Sequence, residues 1–313
     1  MLTQVHFLLT YACNYECDHC FLYCSPNTGG TFTISQVKHA LDEARKLDTV
    51  EWVYFEGGEP FLYYPVMLEG LRQAGQMGFK TGVVTNSYWA TSREDAVLWL
   101  RPILESGIRD LKVSDDAFHH DENEESPARI AFQAAASLGF STGSICIERP
   151  AVRPPADVKG EPVVEGGALF KGRAVEKLAG GLPTKPLETF IACNHEELVQ
   201  PKRVHIDAFG NVQVCQGLSI GNMWQEPFSK IIRGYRAETH PVCGPLARGG
   251  PVELARENNM ELKGEFVDEC HYCYLVRRGL LDKFPKYLSP RQVYGISEDR
   301  SGNRGHTSNH KGG

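Results

Sequence analysis

Apolar runs of strand length alternate with amphipathic stretches through the first half of the chain. Gln4–Thr10 (QVHFLLT) is a short apolar strand. In TISQVKHALDEARKL, Ile34, Val37, Leu41, Ala44 and Leu47 recur at helical spacing, and Thr33 with Gln36 forms a capping box. Glu51–Gly57 is a second strand, and the helix after it opens at Pro65 and stops near Gly78. Thr81–Asn86 is a third strand, followed by a helix capped near Ser92. Ile108–Ser114 and Ser141–Glu148 bracket a helix with Ser126 as its cap and Pro127 in its first position. This alternation predicts βα units, an α/β class and a parallel sheet. Such units bring strand C-termini to one edge, where sites are usually built.

After Glu148 the pattern breaks. RPAVRPPADVKGEPVVEGG is rich in Pro and Gly, with a sixth, short strand at EPVVEGG, and KGRAVEKL reads as a turn or two of helix. Arg203–Cys215 alternates apolar and polar residues around Phe209-Gly210-Asn211, the pattern of a β-hairpin. The expected organisation is a core at residues 1–184, a second domain at 185–290 and a disordered, apolar-poor tail at 291–313.

Composition narrows the chemistry. The 313 residues are 42% hydrophobic and 23% charged, enough for a normal core. A net charge of −6 gives no electrostatic reason to bind nucleic acid. No apolar run approaches the length of a membrane span, and MLTQVHFLLT lacks the basic start and cleavage site of a signal peptide. A cytoplasmic location follows as the expectation, and there the ten cysteines read as metal ligands or reactive thiols rather than disulfides.

Four of those cysteines crowd YACNYECDHCFLYC, with the spacing Cys13-x3-Cys17-x2-Cys20 and then Cys24. Three close thiolates suit a soft metal. Zinc with Cys24 or His19 as fourth ligand, a closed four-cysteine cluster, and a three-cysteine cluster with one open iron all fit this spacing. Gly57-Gly58-Glu59-Pro60 ends the second strand. Its two glycines either make a tight turn or free backbone N–H and C=O groups to meet a ligand's amine and carboxylate.

C-x3-C-x2-C after the first strand and GGEP after the second together resemble the radical S-adenosylmethionine enzymes. The resemblance covers roughly residues 4–175 and implies a partial parallel (βα)6 barrel. It implies that Cys13, Cys17 and Cys20 hold a [4Fe–4S] cluster whose open iron is chelated by the methionyl group of S-adenosylmethionine, with Gly57, Gly58, Glu59 and Pro60 at the amine. It makes Cys24 a spare thiol and places His19 where the family has an aromatic or imidazole ring. Thr85, Asn86 and Ser114, at strand ends, become candidate ribose or methionine contacts, each of them equally readable as an ordinary strand-end polar residue. The chemistry implied is reductive cleavage of the sulfonium to a 5′-deoxyadenosyl radical that takes hydrogen from a substrate carbon. A reducing partner such as flavodoxin or ferredoxin is implied with it.

The later cysteines, Cys193, Cys215 in Gly210-x4-Cys215, and Cys270-x2-Cys273, resemble the auxiliary-cluster modules called SPASM and twitch, here the shorter twitch type. That resemblance implies one auxiliary [4Fe–4S] cluster on Cys193, Cys215, Cys270 and Cys273, although the gap from Cys193 to Gly210 is longer than the family's. A zinc knuckle is the other reading of Cys270-x2-Cys273. Cys243, in the loop-like HPVCGP, is an alternative to Cys193. Cys146, alternating with Ile145 and Ile147 on the fifth strand, and Cys243 are also candidate hydrogen-atom donors, as in the family's peptide epimerases; each reads equally as a small buried hydrophobe. In SDDAFHHDENEE, Asp115 or Asp116 is a candidate general base or substrate anchor. His119 and His120 read as polar loop residues and Asp121–Glu125 as a solvated acidic loop.

The functional expectation is a radical enzyme modifying a peptide or protein by epimerisation, crosslinking or oxidation. The chain starts straight into its first strand, so any leader-peptide recognition is expected from a separate protein. The alternatives are a small-molecule radical dehydrogenase or cyclase of the aminocyclitol type, and a non-catalytic iron–sulfur or zinc scaffold.

Overall fold

The structure, a computed structural model, describes residues 1–120, 126–153 and 163–296. The expected βα series is present: β1 (Gln4–Thr10), α1 (Ile34–Arg45), β2 (Trp52–Gly57), α2 (Tyr64–Gln76), β3 (Lys80–Thr85), α3 (Arg93–Glu105), β4 (Asp110–Ser114), α4 (Pro127–Ser137) and β5 (Gly143–Ile145). The caps read from the sequence form as expected. Thr33 and Gln36 exchange both capping-box bonds, and Ser92 and Ser126 each accept a backbone N–H of their helix's first turn.

Strands β1 to β5 run parallel and in sequence order. One face is apolar and covered by helices. Phe7 stacks on Phe55, and Phe55 lies so close to Gly70 of α2 that a Cβ there would fall 2.7 Å from its ring. The other face carries the alternate residues, among them His6, Tyr54 and Glu56.

Several expectations differ from the structure. The fifth strand is only three residues, because β5 is the sheet edge and the flanking residues, Cys146 among them, are exposed or half-buried; Cys146 lies beyond the strand. EPVVEGG does not join the sheet: β7 (Val163–Glu165) pairs antiparallel with β6 (Ala151–Arg153) in a separate ribbon. The sixth parallel strand is instead β8 (Arg203–Asp207), which pairs with β1 on the side away from β2. Its Val204, His205 and Ile206 are buried, so the sheet's core continues across residue 185.

The hairpin turn at Gly210 (φ +86°) leads to β9 (Asn211–Cys215), and β10 (Leu218–Asn222) completes the eight-stranded order β10-β9-β8-β1-β2-β3-β4-β5. Four helices belong to the remainder: α5 (Arg173–Lys177), α6 (Phe228–Gly234), α7 (Cys243–Glu257) and α8 (Glu269–Gly279). Cys243 therefore heads a helix and is fully buried, contrary to the loop expected from HPVCGP. Order also extends past residue 290. Arg291–Tyr294 is a short 3-10 turn with Val293 and Tyr294 buried, and Tyr294 Oη donates to the Gly217 carbonyl at 2.7 Å. The rest of the expected tail and the acidic Asp121–Glu125 lie outside the described residues. Among the described residues, no helix is long and apolar enough to cross a membrane.

Candidate metal centres

The cysteine loop leaves the C-terminal end of β1 and docks on the Gly57-Gly58 turn ending β2. Gly58 N–H donates to the Thr10 carbonyl at 2.7 Å, and Glu59 N–H to the Ala12 carbonyl at 2.9 Å. A Cβ at Gly58 would fall 2.1 Å from the Ala12 oxygen, and Gly57, at φ +134°, would bring one 2.4 Å from the Thr10 oxygen. Both glycines are needed for this approach. The N–H groups expected to receive a ligand carboxylate are thus occupied by the loop. Because each peptide unit is trans and planar, the Gly57 and Gly58 carbonyls point away from it, acceptors for an amine only.

Cys13, Cys17 and Cys20 lie within electrostatic reach of one another. Burial pushes the Cys13 and Cys17 thiols up to about 12. Cys20 is drawn down to about 6, first by the Cys24 thiol, against its burial, and further by backbone N–H groups. Tyr15 N–H and Cys24 N–H donate to Cys13 and Cys20 sulfur at 3.4 Å, and Asn86 Nδ2 donates to Cys13 sulfur at 3.7 Å. Such donors suit bound thiolates. Cys24 itself is buried beside Cys20.

Two expected cofactor contacts are internal. The Glu59 carboxylate is fully buried and accepts from Phe61 N–H, Thr85 Oγ1 and Asn86 N–H at 2.7–3.0 Å. Burial raises its carboxyl to about 7. Thr85 also accepts from Ser87 N–H and Trp89 Nε1, which leaves its hydroxyl saturated. Both residues hold the ends of β2 and β3 together. Pro60 is buried at the start of a 3-10 turn, Asn86 turns to the cysteine loop, and Ser114 is half-buried at the end of β4.

Asp116 is buried and bonded to its surroundings. Its carboxylate lies 2.7 Å from His119 Nδ1 and accepts from Phe118 and Ile147 N–H. His119 Nε2 lies 3.5 Å from Cys17 sulfur. Asp116 thus positions His119 against the thiol loop, in place of the open base that its sequence position suggested. His19 packs on Phe118, with centroids 4.6 Å apart, and burial lowers its imidazole to about 4.

Sequence reasoning passed over the segment that joins the two thiol sets. Arg173, buried, donates to the Cys17 carbonyl at 2.7 Å and the Cys24 carbonyl at 2.8 Å, while its backbone N–H donates to the Cys20 carbonyl. Two residues earlier, Lys171 Nζ donates to Cys215 sulfur at 3.5 Å and to Gln216 Oε1 at 2.9 Å. A basic residue on either side of Gly172 was the available signal.

Around Cys215, at the end of β9, gather Cys193, Cys243, Cys270 and Cys273. Cys270 and Cys273 lie three apart in the first turns of α8, on one side of it and near its positive end. Burial pushes up the thiols of Cys193, Cys243 and Cys270, and that of Cys273 to about 11. Lys171 stays charged despite its burial because Cys215 and Glu196 face it. Arg277 is fully buried, its Nε has no partner among the described residues, and Tyr294 with Cys215, Cys273 and Cys270 surrounds it. A guanidinium so placed gains its counter-charge when those sulfurs are metal-bound thiolates. The donor set therefore fits an anionic cluster.

The sequence profile of the radical SAM superfamily matches residues 7–127. The putative peptide biosynthesis protein YydG of Bacillus subtilis (strain 168) is 24% identical over 107 residues, 34% of each chain. The S-adenosylmethionine-dependent nucleotide dehydratase of Selenomonas ruminantium is 31% identical over 86 residues, 28% of this chain and 30% of that one. The chain thus spans about a third of the length of the curated relatives it matches. Among solved structures, BtrN in complex with AdoMet and 2-DOIA aligns with a TM-score of 0.49 at 14% identity, over 74% of this chain and 82% of that one. Native anSMEcpe with bound AdoMet aligns with a TM-score of 0.45 at 11% identity, over 91% and 97%.

Proposed function

From the premise that residues 7–127 form a radical SAM domain, we propose that this chain is a radical SAM enzyme that modifies a peptide. Cys13, Cys17 and Cys20 hold the [4Fe–4S] cluster that such a domain implies, and the outward Gly57 and Gly58 carbonyls receive the amine of S-adenosylmethionine. Bound together, these groups supply one-electron chemistry, hydrogen abstraction from an unactivated carbon. The protein's part is positional: the Gly57–Glu59 turn seats the loop, Asn86 and His119 flank its thiols, and Arg173 ties its carbonyls. The observation that carries this reading is the docking of the cysteine loop on Gly58 and Glu59 through one backbone bond each.

Cys193, Cys215, Cys270 and Cys273 hold an auxiliary cluster whose charge Lys171 and Arg277 balance. Cys146 is the exposed thiol among the described residues and our candidate hydrogen donor; Cys243 is fully buried. The peptide assignment rests on the likeness to the putative peptide biosynthesis protein, and a flavodoxin or ferredoxin is the reductant. The likeness to the nucleotide dehydratase supports a second reading, a small-molecule substrate. Reduced, cluster-loaded protein with S-adenosylmethionine should consume it faster when a peptide encoded beside the chain is added, with a mass or stereochemical change in that peptide. Acceleration by a nucleotide or aminocyclitol alone would favour the second reading.

A further inference from the structure

Three ligating side chains from neighbouring strands meet on the face of the sheet opposite Phe7 and Phe55. They are His6 of β1, Glu56 of β2 and His205 of β8. His6 and His205 are direct partners in the parallel register, and Glu56 lies one side-chain step beyond Tyr54, the partner of His6. Its carboxylate reaches back across β1. Glu56 Oε2 lies 3.1 Å from His6 Nδ1, and Oε1 lies 3.1 Å from His205 Nε2. One ligating atom of each residue lies within 4.8 Å of the other two. We propose that His6, Glu56 and His205 form a mononuclear site for a divalent first-row transition ion, with a coordination position open on the side of the partly exposed Glu56 carboxylate.

The proton arrangement favours a cation there. His6 Nε2 lies 3.3 Å from Gln4 Oε1, so one tautomer of His6 donates to that amide. The lone pair of Nδ1 then faces the carboxylate, and that contact has no hydrogen-bond alignment. In that tautomer two acceptors face each other at 3.1 Å, an arrangement that a cation between them satisfies. His205 is 5% exposed, and its Nδ1 is buried without a partner among the described residues.

The distances fit as well. Ligand bonds of about 2.0–2.2 Å place neighbouring donor atoms about 2.8–3.6 Å apart in octahedral or tetrahedral geometry. Two imidazoles and one carboxylate suit zinc, iron(II) or cobalt(II) better than calcium or magnesium, which prefer all-oxygen sets. Gln4 supplies the outer hydrogen bond that ligating histidines usually have. The Glu56 side chain remains 18% exposed, so a bound ion could take an oxygen or nitrogen donor of the substrate. Glu56 immediately precedes Gly57, which puts this ion beside the proposed cofactor turn. The site stands on its own side chains, whatever reaction the cysteine loop serves.

The test uses cluster-loaded protein incubated anaerobically with cobalt(II) and passed through a desalting column. Cobalt and iron are then counted, and the visible spectrum is recorded. About one cobalt per chain should be retained with ligand-field bands of nitrogen and oxygen donors. Zinc should displace it. Glu56→Gln and His205→Gln should each abolish retention while iron content stays at the wild-type value. His6→Gln is the further variant should either of these lose iron. No retained cobalt, retention unchanged in the variants, or thiolate-to-cobalt charge-transfer bands would overturn the assignment.

Discussion

Arg173 offers the sharpest test of how the cysteine loop is held. Its guanidinium is 6% exposed and donates to the Cys17 and Cys24 carbonyls, at 2.7 and 2.8 Å. A hydrogen bond from a charged donor contributes about 1.5–3 kcal/mol, so the pair contributes roughly 3–6 kcal/mol in gross terms. Burying the guanidinium costs part of that. The contact to Glu16 at 3.8 Å adds little, since that carboxylate is 65% exposed. A net loss of about 2–4 kcal/mol in loop closure is expected for Arg173→Ala, equivalent to roughly 30- to 700-fold weaker retention of a group on the loop. Arg173→Lys keeps the charge but can reach only one carbonyl well, and should fall between. The assay is iron and sulfide per chain after anaerobic reconstitution and desalting, together with the melting temperature. Arg173→Ala should lose the iron of the Cys13/Cys17/Cys20 site, about half the total, and keep the auxiliary share. Full iron and an unchanged melting temperature would refute the clamp.

The auxiliary assignment predicts that Cys270→Ser with Cys273→Ser removes about half the iron and leaves the first cluster's share; unchanged iron would sink it. Gly58→Ala should expel the first cluster, because its Cβ meets the Ala12 backbone at 2.1 Å, whereas Gly180→Ala, with nothing within 4 Å, should behave as wild type; equal iron in the two variants would contradict the docking geometry. Glu59 is held up at about 7 by burial. Between the ordinary carboxylate value and 7 the folded chain keeps a proton that the unfolded chain has lost, so cluster-free stability should fall as pH rises through that window, by at most about 1.4 kcal/mol per unit. Asp207, raised to about 6, acts in the same direction over a narrower range. Glu59→Gln should flatten the Glu59 part of the curve, and an identical slope in wild type and variant would rule it out.

The local signals were legible because they are local. Thr33, Ser92 and Ser126 cap helices through neighbours three residues away, and period-2 and helical patterns gave the βα series. The placement of β8 beside β1 joins residues about 200 apart, and no short-range pattern encodes it. The fifth strand read too long because its alternating apolar residues sit at a sheet edge that buries neither face fully. At the site, cysteine spacing and the glycine pair were readable, since thiols and close backbone approach demand particular residue types. What the polar residues do was not. Glu59 and Thr85 spend their oxygens on each other and on nearby backbone, and Arg173 reaches the loop from 149–156 positions away. His6, Glu56 and His205 stood in strands as unremarked polar positions until the register brought them together.

The most direct measurement of the central claim is 5′-deoxyadenosine formation by the reconstituted protein given dithionite and S-adenosylmethionine. The wild type should produce it, and variants with Cys13, Cys17 or Cys20 changed to Ala should not, while retaining auxiliary iron. A protein fully loaded with iron and sulfide that forms no 5′-deoxyadenosine, or a cysteine variant that forms as much as wild type, would contradict it.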